Sequence, residues 1–517
     1  MTVSSRETVT ARAAGSPLPP VHRDPAATTV TRRERLLALT VVGVAVALWV
    51  TLLGAPLTSD EAGYLLVGSH WSPGSSLYGD YWVDRPPLLV AIFALASRFP
   101  VGLTTAGVID PGVKLLGACA TGLTLILTWQ LGRLVGTRLT RWAAFVAAAA
   151  LLTSPLLGMP EVDGELLALP CVMLTVLLLV HGARGPAGAR ALLLMAGAGA
   201  AAVAAALVKQ NVVDGFVLAG VMLAFAGRRA RPRVASGTRL ATAFAAGALA
   251  TLTAALVAAA SRGTGPAGLW EAVVVFRGRA AAVIGQSASP ATSERFVHLM
   301  TMSVLSGLLP LLVVALALVA RAHGRAGAAR WLVVPAVAMA AWEAVAVLAG
   351  GSYWLHYLTG MVPGAVLLVL LCRPGPTARR VLAAAVGVVV AATITAHGAR
   401  ALTTTPPSDD ALVMGWLHDH ARPGDGVVVA YGHPDIVAGS GATSPYPQLW
   451  SLPVRVRDPR LSGLSGVLAG PSAPRWVVTS GSGLDGWGLR AAAAQQTLAG
   501  HYAERVTLGG WHVWERR

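Results

Sequence analysis

LLALTVVGVAVALWVTLLGAPL (36–57) runs without a charge and is followed at once by TSDEAGYLLVG (58–68), where two adjacent carboxylates, Asp60 and Glu61, stand. About 20 apolar residues cross the roughly 30 Å of hydrocarbon in a bilayer. The acidic pair therefore falls where the chain leaves a membrane. Two readings are open there: a helix start with Ser59 or Asp60 as its cap and acidic residues in its first turn, or a reaction centre.

The rest of the chain has the same character. Its 517 residues are 55% hydrophobic and 12% charged, about half the charged share of a soluble domain. Eleven spans are expected, near 36–57, 112–132, 142–159, 166–181, 191–209, 212–227, 240–260, 297–320, 331–350, 356–372 and 381–399. The first is too long, and too far from the N-terminus, for a cleavable signal. Arginine-rich connections such as TRRER, GRRARPR, RAHGRAGAAR and RPGPTARR alternate with acidic ones. By the positive-inside rule the N-terminus is cytoplasmic and the C-terminus extracytoplasmic. After the first span no carboxylate lies in an inner loop; those before residue 400 fall on the outer side, with Glu343 near an outer helix end, as an outward-facing acidic active site would require. The net charge of +16 belongs largely to inner loops facing anionic lipid. No motif for reading nucleic acid is present. Cys119, Cys171 and Cys372 all fall inside spans and read as packing residues rather than a disulfide framework.

Residues 1–35 read as a disordered cytoplasmic tail. Residues 36–400 form the membrane core. Its first outer loop, 58–111, contains PPLLVAIFALASRF (86–99), too short to span and expected as an interfacial helix. A second long outer loop covers 261–296. From 401 to 517 the pattern changes to a linker, a helix at DALVMGWLHDHA, buried strands at GDGVVVAYG and RWVVTSGSG, and two strands around a Gly-Gly turn in RVTLGGWHVWERR. The expected fold is an α-helical polytopic membrane protein with a small extracytoplasmic α/β domain.

Four further stretches carry chemistry. LYGDYWVDRPPLL (77–89) adds Asp80, Asp84 and Arg85 before a Pro-Pro helix start, and the planar fork of Arg85 suits a phosphate. MPEVDGELLAL (159–169) crowds Glu161, Asp163 and Glu165 into a short connection between spans, where a capped helix start is the plainer alternative. Lys209 is one of only two lysines and needs an anionic partner at a membrane helix end, or snorkels. GGSYWLHYLTGMVPG (350–364) brings His356 and Tyr357 to the interface, where an aromatic belt accounts for the rings. The HDH triplet at 418–420 puts its histidines on different helix faces and is a weak metal signal.

Taken together these residues resemble the GT-C superfamily of membrane glycosyltransferases, and most nearly the branch of protein O-mannosyltransferases and the aminoarabinose transferase of lipid A. That family has an Asp-Glu pair in its first outer loop, which TSDEAGYLLVG resembles. A Lys/His-Pro-Pro-Leu element follows, which RPPLL matches with Arg85 in the basic position. PEVDGELL, LVKQ and LHYLTGMVPG stand where the family has an acidic residue, a basic residue and a His-Tyr pair. The likeness spans about 36–400. It implies a GT-C fold and transfer of a sugar from a polyprenyl-phosphate donor, with inversion, to a hydroxyl of a protein, lipid or cell-wall glycan acceptor. It also implies Asp60 as base, Glu61 and Asp163 as further catalytic carboxylates, and Arg85, Lys209, His356, Tyr357, Glu161 and Glu165 around substrate and phosphate. The family includes members with and without a divalent cation, and the sequence does not choose. The rival classes are a transporter, which would carry its charges at the midplane of repeated halves, and a non-catalytic scaffold or receptor, for which Asp60→Asn would be silent.

Overall fold

The computed structural model describes residues 30–184, 188–227, 231–286, 290–321, 330–403, 408–481, 483–486 and 489–517. Most of the expected tail, 1–29, and parts of the GRRARPR and RAHGRAGAAR stretches and of the linker after 401 lie outside these residues. The chain is mostly helical. In the first part come α1 (Arg32–Val50), α2 (Ser59–Ser69), α3 (Pro87–Ala96), the two-stranded β1 (Gly102–Thr104) and β2 (Gly107–Ile109), α4 (Pro111–Val135) and α5 (Arg138–Leu152). Then follow α6 (Gly164–Arg184), α7 (Ala189–Val208), α8 (Asp214–Gly227), α9 (Arg231–Ser261), α10 (Pro266–Trp270), α11 (Phe276–Gln286), α12 (Pro290–Leu305), α13 (Leu308–Arg321), α14 (Val333–Ala349), α15 (Val362–Leu371) and α16 (Pro376–Leu402).

Among the described residues five helices are long and apolar enough to cross a membrane: α4, α6, α7, the 237–261 part of α9, and α16. A sixth arises if α12 and α13, bent by 60° at their junction, are one span. The expected count of eleven goes beyond this, for local reasons. α1 opens on Arg32, Arg33, Glu34 and Arg35, so its apolar part is short. α5 ends at Leu152, because Ser154 and Pro155 start a 3-10 turn. The expected span 356–372 is divided into a 3-10 turn, Leu355–Met361, and α15, whose Pro363 fits only a first turn. Leu36, Leu39, Leu193, Leu249, Val257 and Ile394 are exposed on the bundle's outside, as lipid-facing side chains are. Cys119 is exposed on α4 rather than packed inside, whereas Cys372 is buried; all three cysteines are free.

The C-terminal part begins with α17 (Asp409–His420) and β3 (Val427–Ala430), and continues through α18 (Pro434–Ser440), α19 (Ser451–Arg457), α20 (Ser462–Ala469), β4 (Trp476–Ser480), α21 (Ala492–His501), β5 (Tyr502–Leu508) and β6 (Trp511–Arg516). Its sheet has the order β3-β4-β6-β5, with β3 parallel to β4 and the other pairs antiparallel. The turn between β5 and β6 is the expected Gly-Gly, with Gly509 left-handed (φ 58°). α18 packs on α2 and α17 on β2, so this unit sits directly over the stretch that carries Asp60 and Glu61.

Candidate active site

Thr58 starts α2. Its side chain accepts from the Glu61 N–H, and its own N–H donates to Glu61 Oε2 (2.8 Å). The cap is thus Thr58, earlier than the Ser59 or Asp60 expected, because a Glu three residues on closes a capping box only with Thr58. Adjacent residues on a helix point about 100° apart, and the two carboxylates part company here. Glu61 turns inward and is fully buried. Lys114 Nζ, equally buried on α4, donates to both its oxygens (2.6 and 2.8 Å), and the Val162 N–H donates to Oε1 (2.8 Å). Lys114 also donates to the Pro160 carbonyl (3.0 Å). With four hydrogen bonds accepted, Glu61 fastens α2, α4 and the 159–165 connection together.

Asp60 stays half-buried. Its Oδ1 accepts from the indole N–H of Trp450 (2.8 Å), which the C-terminal unit supplies. Burial raises its pKa above the ordinary aspartate value, against the opposing charges of Arg85 and His356 and with the added push of Glu161.

The connection before α6 turns at Gly158 (φ 105°), which lies against His356; a Cβ there would stand 3.1 Å from His356 Cα. This brings His356 Nδ1 to 3.1 Å from Glu161 Oε2 and 3.4 Å from Asp163 Oδ2. Asp163 Oδ1 is used in starting α6, accepting from the Leu166 N–H (2.9 Å), whereas its buried Oδ2 accepts no hydrogen bond among the described residues. The two carboxylates are driven apart. Burial pushes Asp163 up to about 7. Glu161 is also penalised by burial, but the His356 ring charge and hydrogen bond outweigh it and hold the carboxyl below its usual range. One donor atom from each of Glu161, Asp163 and His356 lie within 4.8 Å of one another. Two carboxylate oxygens and an imidazole nitrogen are a donor set for a divalent transition metal, and the orphaned Asp163 Oδ2 fits such an ion.

On the other flank Arg85 donates through Nε to the Tyr64 hydroxyl (3.0 Å) and through Nη1 to Asp84 Oδ1 (3.0 Å). These bonds use two of five guanidinium donors. Arg277 Nη2 pairs with Asp84 Oδ2 at 2.7 Å. Lys209 closes α7 and is paired with Glu165, its ammonium 4.6 Å from the centre of the Tyr357 ring. Its charge is engaged, so of the cations expected around a phosphate Arg85 keeps donors to spare. Asp60 lies within electrostatic reach of Arg85, Glu161 and His356, and His356 joins Glu161 and Asp163; Glu165, Lys209 and Tyr357 form an adjoining group; Glu61 is held by Lys114 and the Val162 N–H. Asp80 is exposed. A groove of about 710 Å³, lined among others by Ser76, Trp82, Glu271, Arg279, Gln448 and Arg457, lies between the membrane part and the C-terminal unit; none of Asp60, Arg85, Glu161, Asp163 and His356 lines it.

Sequence reasoning missed Lys114, Tyr64, Arg277 and Trp450. Lys114 carried a signal, since a chain with 40 Lys+Arg has only two lysines and both prove to be partners of buried carboxylates. Trp450 carried none, being 390 residues from Asp60.

A polar, acid-lined centre stands at one end of an apolar helical bundle with an α/β unit packed over it, and this fold is shared with solved structures. Among solved structures the chain is similar to ArnT from Cupriavidus metallidurans bound to undecaprenyl phosphate (TM-score 0.59, 13% identity, covering 92% of this chain and 97% of that one). It is also similar to the apo oligosaccharyltransferase of Archaeoglobus fulgidus (TM-score 0.51, 14% identity, 87% and 70% covered). No family profile and no curated protein matches the sequence.

Proposed function

We propose that this protein transfers a sugar from a polyprenyl-phosphate donor to an acceptor hydroxyl on the extracytoplasmic face of the membrane, with inversion. The observation that carries the reading is the convergence, among the described residues, of a carboxylate with one oxygen uncommitted, Asp60, and a guanidinium with spare donors, Arg85, inside the GT-C fold. The likeness to a transferase solved with undecaprenyl phosphate supports it. Asp60 takes the proton of the acceptor hydroxyl as its oxygen attacks the anomeric carbon. The bond from that carbon to the phosphate oxygen breaks, and the lipid phosphate leaves with one more negative charge. Arg85 stabilises that charge where it develops. Glu161, Asp163 and His356 would hold a divalent cation, which supplies further charge for the departing phosphate. The positive-inside pattern supports a cytoplasmic N-terminus and an extracytoplasmic unit from 401 to 517.

Three results are expected. Arg85→Ala lowers kcat for transfer about a hundredfold to a thousandfold, as loss of one charge-stabilising donor does, with acceptor KM unchanged; steady-state kinetics in proteoliposomes reads this. The base must be ionised, and burial raises the Asp60 pKa, so the acid limb of the rate profile lies above that of an exposed aspartate; a pH series of kcat/KM reads it. In chelator-treated protein Mn²⁺ raises the melting temperature, and His356→Ala removes that rise. The test of the reading as a whole is transfer of labelled sugar from defined polyprenyl-phosphate donors.

A further inference from the structure

We infer that Trp450 is the positioning residue of the Asp60 base, and that segment 444–450 of the C-terminal unit completes the active site. The inference rests on the transferase reading. Trp450 is half-buried and meets α2 at three points. Its indole N–H donates to Asp60 Oδ1 at 2.8 Å. Its ring lies 5.6 Å, centre to centre, from Tyr64, whose hydroxyl takes a hydrogen bond from Arg85. Its six-membered ring lies against Gly63, where a Cβ would fall 2.2 Å from Trp450 Cζ2. No side chain fits at position 63 while the indole is seated. The glycine in TSDEAGYLLVG thus has a physical task, which is to admit a ring from nearly four hundred residues away.

The segment that delivers this ring is itself fixed. The Ser444 N–H donates to the Tyr81 hydroxyl (3.2 Å), and the Pro447 carbonyl accepts from the Trp82 N–H (3.0 Å). One step along α2 from the base, Ser59 donates to Asp435 Oδ1 (2.6 Å) at the start of α18. Trp450 is therefore held at a set place before substrate arrives. A carboxylate with one oxygen tied to a fixed donor has its plane and rotamer set, and presents the other oxygen in one direction. Such orientation matters to rate, since misplacement of a reacting group by about 1 Å costs on the order of a hundredfold. Gln448, two residues before Trp450 and so within about 7 Å along the chain, lines the groove and has a buried Oε1 that accepts nothing among the described residues. The same short segment borders the groove and holds the base.

The experiment compares wild type, Trp450→Phe, Gly63→Val, and protein carrying benzothienylalanine at position 450, in which sulfur replaces the indole N–H without changing the ring's shape. Each is assayed in proteoliposomes with the polyprenyl-phosphate donor that wild type uses. The expected result is a fall in kcat of about tenfold to a hundredfold for the Phe and benzothienylalanine proteins, with donor KM within about twofold, and a similar fall for Gly63→Val. An active wild type beside a fully active benzothienylalanine protein overturns the positioning role alone, leaving the ring as packing. A change confined to KM also overturns it. A wild type inactive with every donor overturns the transferase reading and the positioning role together.

Discussion

Asp60→Asn is expected to lower kcat for sugar transfer by between about a hundredfold and ten-thousandfold, the range general-base catalysis contributes, while the melting temperature and donor KM stay close to wild type. Among the described residues, the substitution acts on the one carboxylate of Asp60, Glu61, Asp84, Glu161, Asp163 and Glu165 that makes no ion pair. Glu161 and Asp163 share His356, Glu165 holds Lys209, and Asp84 holds Arg85 and Arg277. The asparagine amide keeps the shape of the side chain and still accepts from the Trp450 indole through its carbonyl oxygen, so the fold loses little. What is lost is the capacity to take a proton. Steady-state kinetics and a thermal melt on the same preparation separate the two effects.

The neighbouring carboxylate is expected to behave in the opposite way. Lys114→Met strands the fully buried Glu61 charge, and removing one partner of such a pair costs about 3–5 kcal/mol. The protein should melt well below wild type before any kinetic constant is measured. Combining Lys114→Met with Glu61→Gln removes both charges, and most of the stability should return, because the cost lies in the unpaired ion rather than in losing the pair. The amide that Glu61→Gln introduces can still accept from the Val162 N–H, which keeps α2 joined to the 159–165 connection. If Glu61→Gln alone lowers kcat as far as Asp60→Asn with the melt unchanged, Glu61 takes part in the chemistry and the division of labour is wrong.

That division was hidden in the sequence, where the two acids are adjacent and equally conspicuous. Apolar length announced the membrane part, and alternation with Gly-rich turns announced the strands β3 to β6. Neither pattern reveals which side of a helix turn meets a buried lysine. Lys114 sits inside a stretch whose hydropathy dominates its reading, so a span was legible and its buried charge was not. The broken ends of α5 and α15 follow from single prolines, whose effect on hydropathy is slight and on helix continuity large. Gly63 and Trp450 meet although 387 positions separate them in the sequence, and no local period encodes such a meeting. By contrast, Arg85, Glu161, Asp163 and His356 could be singled out because charge at the end of an apolar helix needs a reason wherever it falls.

The central claim is that a lipid-phosphate-linked sugar is the donor. The most direct test is to reconstitute the wild-type protein with a panel of radiolabelled polyprenyl-phosphate sugars and a membrane extract as acceptor source, and to follow both label transfer and free polyprenyl phosphate. The account predicts that one donor gives labelled acceptor and an equal amount of polyprenyl phosphate, and that Asp60→Asn gives neither above background. Folded protein that releases no polyprenyl phosphate from any donor, and whose melting temperature polyprenyl phosphate does not raise, would contradict it.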